Sequence, residues 1–253
     1  MKIDVYFDSG LVDESTLKGQ WVCVIDVLRA SSTICTALVN GAREIIPVAS
    51  VDYGMKIASN LFDGQFLLGG ERGGKRIQGF DLGNSPREYT AEKVSGKSIV
   101  FATTNGTGAI VKARHAEKVL ITGFLNLGAI TSVLQSVSPS QLYIICGGRE
   151  HHFSLEDSLC AGALIDRLTE GEGTPTPQLN DAAKVSLFTW QREKDQLRRA
   201  VRDSDHGNTL RILGFESDID LCTDIDKYDV VPVLAESSKI KRMQTETTGR
   251  TQV

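Results

Sequence analysis

No stretch of this sequence approaches the ~20 consecutive apolar residues that a membrane-spanning helix requires, and the opening MKIDVYF runs directly into a strand pattern without the long apolar core of a secretion signal. A membrane partner is therefore not expected, and the cytoplasm is the expected compartment. Lys and Arg form no long run and the formal net charge is -4, so the clustered positive potential that holds phosphate backbones is missing. Nucleic acid is not an expected partner, and any anion site must be locally focused. The five cysteines, Cys23, Cys35, Cys146, Cys160 and Cys222, are odd in number, far apart and mostly in apolar contexts. That pattern gives neither a disulfide framework nor a zinc knuckle, and the cysteines read as reduced thiols. Cys146 closes a strand beside a glycine loop and reads as a small buried residue rather than a nucleophile. There is no GxxxxGK[ST] phosphate loop, no HxxxH metal spacing and no DxDx[TV], because Asp26 is followed by Val27 and Leu28.

What is present is an ordinary globular composition, 41% hydrophobic and 24% charged over 253 residues, enough to bury a sizeable core. Short β-branched runs at KIDVYF, VCVIDV, EIIPVA, QFLLG, SIVFAT, KVLIT, QLYIIC and VVPVL alternate with helical patterns. This is the βαβ signature of a three-layer α/β/α fold with a mainly parallel or mixed sheet. Two stretches, VCVIDVLRASSTICTALVNGAREIIPV and SIVFATTNGTGAIVKARHAEKVLIT, both run strand, hydroxyl-rich turn, helix, strand. They are compatible with an internal duplication of βαβ units, although any two such units share the pattern. One domain over residues 1–236 is expected, with a Gly/Pro/Thr/acid-rich linker at EGEGTPTPQLND, a helical appendage near 180–203 and a polar, disordered tail over 237–253.

The unusual polar residues fall after strands: DVLRASST after the second, GGERGG after the fourth, TTNGTG after the fifth, GFLN after the sixth and GGREHHFSLED after the seventh. In a parallel sheet those turns converge on one edge, where open α/β folds place their ligand crevice. RASST and TNGTG each put hydroxyls, small residues and free N–H groups at a helix start, which suits a phosphate. Ser31, Ser32, Thr33, Thr104, Asn105, Gly106 and Thr107, with Asn84 and Ser85, are the candidate substrate contacts, capping being the commonest alternative job for such residues. Arg29 adds a bidentate donor. Asp26 ends an otherwise apolar strand, where an ionised carboxylate is costly without a cation or hydrogen-bond donors. Asp26, Glu71 and Asp81 are candidate ligands for Mg²⁺, which favours one or two carboxylates plus phosphate oxygens and water. Ser154 and Asp157 fit a capping box, which leaves Glu156 as the catalytic candidate of that pair, beside Asp26 and Arg29. The His151–His152 pair flanks the crevice, whereas His206 lies in a late polar region.

DVLRASST, GERGGKRIQGFDLGNSP, TTNGT, GFLN and FSLEDSLCAG, in this order and spacing, resemble the 2-phosphosulfolactate phosphatase family. The likeness runs from about Lys2 to Leu168 and continues more weakly through SDHGNTLRILGFESDIDLC and DKYDVVPVL. It implies Mg²⁺-dependent hydrolysis of 2-phosphosulfolactate, a small anionic phosphate ester, to sulfolactate and phosphate, a step toward coenzyme M. Such a substrate carries roughly four negative charges near neutral pH. Mg²⁺, Arg29, Arg72 or Arg149 and two helix N-termini would balance it. The attacker is either a carboxylate-activated water or Asp26 itself. A homodimer, the commonest closed assembly, is the default expectation.

Overall fold

The computed structural model describes residues 1–59, 65–170, 176–235 and 238–244. The strands are β1 (Lys2–Tyr6), β2 (Trp21–Ile25), β3 (Glu44–Pro47), β4 (Phe66–Arg72), β5 (Lys75–Arg76), β6 (Ser98–Ala102), β7 (Lys118–Thr122), β8 (Gln141–Cys146), β9 (Gln178–Leu179), β10 (Pro232–Leu234) and β11 (Ile240–Arg242). The helices are α1 (Glu14–Leu17), α2 (Ala30–Val39), α3 (Val51–Ser59), α4 (Ala91–Val94), α5 (Gly106–Lys112), α6 (Leu127–Val137), α7 (Leu155–Thr169), α8 (Asp181–Glu193), α9 (Leu197–Arg202), α10 (Asp205–Ile212) and α11 (Glu216–Cys222). The strands form one mixed sheet of eleven in the order β5-β4-β6-β3-β11-β10-β7-β2-β8-β1-β9.

Alternation along the strands explains the layering. In β2, Cys23 and Ile25 join the core under α6 and α7, while Val22 and Val24 face the opposite cluster built on α2 and α5. In β6, Ile99 and Phe101 share that second cluster, and Val100 and Ala102 face a smaller one beside α3. Both faces are covered, so the central strands read as continuous apolar runs rather than as half-polar ones.

The sheet is mixed, as expected, in a way that matters for the site. β4, β6 and β3 form one parallel block, and β7, β2, β8, β1 and β9 another. Between them β10 and β11 make three antiparallel steps, so the two blocks run in opposite senses. The site therefore gathers strand ends from two blocks rather than along one edge of a single parallel sheet. The two similar stretches occupy matching places: β2–α2–β3 crosses from one block to the other and β6–α5–β7 crosses back. The starts of α2 and α5 abut, and a Cβ on Gly106 would sit 2.7 Å from the Cβ of Ala30.

Two further expectations change. Residues 240–242, assigned to a disordered tail, are β11, a strand at the centre of the sheet beside β3. Glu44 on β3 explains this, because its carboxylate accepts from Lys239 at 2.7 Å and lies 3.4 Å from Lys241. Residues 237 and 245–253 of that tail, and 171–175 of the linker, lie outside the described residues. The helix from Asp181 is no appendage. α8 packs along α7, with Ala183, Ser186 and Trp190 buried, and Gly162 of α7 sits where any side chain would strike the Ser186 carbonyl and Trp190. Among the described residues no helix is long and apolar enough to cross a membrane.

Candidate active site

A cavity of about 220 Å³ opens where the loops after β2, β4, β6 and β8 meet the start of α10. Asp26 and Arg29 reach it from the first loop, Glu71 and Gly74 from the second, Thr104 and Asn105 from the third, and Arg149 and Glu150 from the fourth, with Asn84, His206 and Thr209 completing the wall. A larger hollow of about 510 Å³ among α9 and α11 holds none of the candidate residues.

Asp26 sits at the floor, 7% exposed. Its Oδ1 accepts from the Ala30 amide at 3.2 Å and its carbonyl from the Ser31 amide at 2.8 Å, so the first turn of α2 is capped by Asp26 itself. Its other oxygen faces Gly106, where a side chain would collide with the carboxylate, and Gly147, where a side chain would press tightly against it. Burial pushes the Asp26 carboxyl up to about 6; His206 and the Ala30 N–H oppose the shift, and the charges of Glu71 and Glu156 add to it.

The hydroxyls expected to grip phosphate are turned inward. Ser31 Oγ accepts from the Asp26 amide, Ser32 Oγ donates to the Val27 carbonyl and Thr33 Oγ1 to the Asn84 carbonyl. Thr107 Oγ1 accepts from the Thr103 amide, and Ser85 Oγ donates to Asp218. These five residues shape the loops without lining the cavity, because each hydroxyl has a backbone or carboxylate partner inside the fold. Among the described residues nothing hydrogen-bonds the amide of Asn105, which lines the cavity.

Arg29 lines the cavity but arrives paired. Nη1 donates to Asp218 Oδ2 at 2.8 Å, Nη2 to the Gly74 carbonyl at 2.9 Å, and the guanidinium carbon lies 4.4 Å from the centre of the Phe215 ring. Arg149 is also at the wall, whereas Arg72 is exposed outside it. Glu71 Oε1 accepts from the Thr104 amide at 2.6 Å and Oε2 from the Gly74 amide at 2.8 Å, tying the β4 and β6 loops together. Asp81 is exposed and outside the cavity, where it accepts from the Leu68 amide at 2.8 Å. Its expected part in metal binding is therefore replaced by a loop-holding one.

Glu156 stands one layer behind, 1% exposed, with Oε1 3.0 Å from His206 Nδ1. Burial would raise its carboxyl, but the hydrogen bond and charge of His206 outweigh that and hold it below the usual carboxylate range. Asp157 does not close a capping box with Ser154. Its Oδ1 accepts from the Val27 amide at 2.8 Å and its Oδ2 from the Gly148 amide at 3.2 Å, joining the β2 and β8 loops. Burial, with the charges of Glu156 and Asp26, pushes its carboxyl well up. His151 and His152 turn to Asp8 and to the Glu150 carbonyl, away from the cavity. All five cysteines are free and buried, and burial raises the Cys146 thiol far from the reactive range.

The structure thus brings together Asp26, Arg29, Glu71, Asn84, Thr104 and Asn105, with Gly106 and Glu156 against them. His206 and Asp218 were not singled out from the sequence. The signal for His206 is modest: Ser204 accepts from the Gly207 amide and starts α10, whose first turn faces the cavity.

Hard oxygen donors are what this cavity offers a metal. Asp26 and Glu71 are carboxylates, and Asn84 Oδ1 is buried without a partner. Among the described residues no group of three or more His, Cys, Asp or Glu could hold a metal on its own. The donor set fits Mg²⁺, which completes its shell with water and substrate oxygens.

A mixed α/β sheet whose loops enclose a polar, carboxylate-rich hollow defines an α/β enzyme of small polar ligands. Residues 7–237 match the family model for 2-phosphosulpholactate phosphatase. Similar proteins include one from Caldanaerobacter subterraneus subsp. tengcongensis, 40% identical over 92% of this chain and 95% of its own. Another, from Symbiobacterium thermophilum, is 39% identical over 88% and 95%. A third, from Thermotoga maritima, is 41% identical over 83% and 87%. Each bears the name "Probable 2-phosphosulfolactate phosphatase". The chain belongs to the 2-phosphosulpholactate phosphatase family, and so to the phosphoric monoester hydrolases.

Proposed function

We propose that this cavity hydrolyses 2-phosphosulfolactate, the ester in its relatives' names, to sulfolactate and phosphate with Mg²⁺, in the cytoplasm and as a step toward coenzyme M. The observation that carries the reading is the charge balance of the hollow. Asp26, Glu71 and Glu150 line it, while Arg29 is neutralised by Asp218, leaving Arg149 and His206 as the other basic groups. A substrate with roughly four negative charges meets net repulsion there unless a divalent cation sits between carboxylates and phosphate. Asp26 and Glu71, with the Asn84 amide oxygen, would hold Mg²⁺, which when bound supplies Lewis-acid counter-charge to the phosphoryl oxygens.

Around that, the chain's own groups do the positioning. The Asn105 amide donates to an equatorial phosphoryl oxygen, and Arg149 meets the remaining anionic groups. Asp26 accepts the proton of the attacking water. Phosphate release from 2-phosphosulfolactate with and without Mg²⁺ tests the reading. Absence of release at any metal concentration would remove it, and a labelled covalent adduct on Asp26 would replace the water by the carboxylate as nucleophile. The default assembly is a homodimer, which sedimentation decides.

A further inference from the structure

Resting on the phosphatase reading, we infer that His206, held in place by Glu156, is the proton donor to the leaving oxygen of the ester. His206 lies in the SDHGNTLRILGFESDIDLC stretch, through which the family likeness continues more weakly. Its ring stands between two hollows, the 220 Å³ cavity described above and a second of about 310 Å³ that Ser154, Glu156 and Asp205 help to line. Nδ1 is 3.0 Å from Glu156 Oε1, and its side chain is 18% exposed. Nε2, on the opposite edge of the ring, makes no hydrogen bond with any described residue. A buried carboxylate on one nitrogen fixes the tautomer and the orientation of the ring, which leaves the other nitrogen placed to carry a proton. Glu156 Oε2 and Ser154 Oγ are also buried beside the second hollow.

The step balances with groups already placed. The water oxygen forms its bond to phosphorus as the bond from phosphorus to the ester oxygen breaks, and that electron pair moves to the ester oxygen. The ester oxygen takes the proton from His206 Nε2. The water's proton passes to Asp26 and on to solvent, and His206 regains a proton from solvent. The need is specific to this substrate class, because an alkoxide leaves poorly unprotonated, whereas a nitrophenolate leaves readily.

The test compares full-length wild type, His206→Ala and Glu156→Gln with Mg²⁺ on two esters, phospholactate and 4-nitrophenyl phosphate. Loss of a general acid predicts that kcat on phospholactate falls by about 10²–10⁴-fold in His206→Ala while kcat on the aryl ester falls by less than about tenfold. Glu156→Gln is expected to move the same ratio in the same direction by a smaller factor. Equal losses on both esters in His206→Ala overturn the acid role while leaving the phosphatase reading intact. A wild type that releases phosphate from neither of these esters nor from 2-phosphosulfolactate removes both. Turnover of the aryl ester by the variants also reports that they are folded.

Discussion

Arg29 and Asp218, 189 residues apart, meet at 2.8 Å with side chains only 2% and 1% exposed. The pair ties the loop after β2 to α11, and Ser85 donates to the same carboxylate at 2.7 Å. A buried pair of this kind adds little over an apolar substitute, but removing one partner strands the other charge in a poorly solvated site. Asp218→Ala is therefore expected to lower stability by about 3–5 kcal/mol, read as a fall in the urea midpoint. Asp218→Asn, which keeps an amide oxygen to accept from Arg29 while its NH2 can donate to the Ser85 hydroxyl, should cost clearly less. Equal midpoints for the alanine variant and wild type would show that Arg29 is held by Gly74 and Phe215 alone.

Asp26→Asn separates structure from chemistry at the cavity floor. The amide oxygen can still accept from Ala30, so the α2 cap and the thermal midpoint should change little, while the charge that binds cation and proton is gone. Phosphate release is expected to drop by about 10²–10⁴-fold. A loss of stability comparable with the loss of activity would mean that Asp26 is mainly a cap.

Much of this was legible because it is local. VCVIDV is apolar on both faces and then breaks at Asp26, so a costly carboxylate at a strand end could be read directly, and the polar loops after β4, β6 and β8 followed the same logic. What stayed hidden depends on direction or on distance. Ser31, Ser32, Thr33 and Thr107 stand in the right loops, but hydroxyls can turn either way, and each found an internal partner. His206 reaches the cavity, and Asp218 reaches Arg29 behind it, only because α8 packs along α7 and carries the following helices over the loops, a long-range consequence of Gly162 and Trp190. β11 has one buried apolar residue, Ile240, and is fixed by Glu44 across the sheet, which no local pattern in residues 238–244 announces.

Metal removal makes a third test with two readouts. Chelation should abolish phosphate release and Mg²⁺ restore it. Because the cation binds the folded chain, Mg²⁺ at a hundred times its dissociation constant should also add about 2.7 kcal/mol to stability. In Glu71→Gln both the activating concentration and the stabilisation should shift to higher Mg²⁺. Full activity of the chelated wild type would exclude the metal from the chemistry.

The strand at the sheet centre yields a pH test with a defined sign. Burial acts to raise the Glu44 carboxyl, but the hydrogen bonds from Lys239 and Ser98 and the charge of Lys239 outweigh it and hold the group below its ordinary value. A carboxyl lowered by folding adds stability that is fully present above the unfolded value of about 4.3 and is lost as pH falls through the lower folded value. Wild type should therefore exceed Glu44→Gln by about 1 kcal/mol at pH 7, with the gap closing under acid conditions as Glu44 takes up its proton. Urea midpoints at neutral and acid pH check this. A gap that stays constant with pH would mean that Glu44 holds β11 by shape and neutral hydrogen bonding, with its charge contributing nothing.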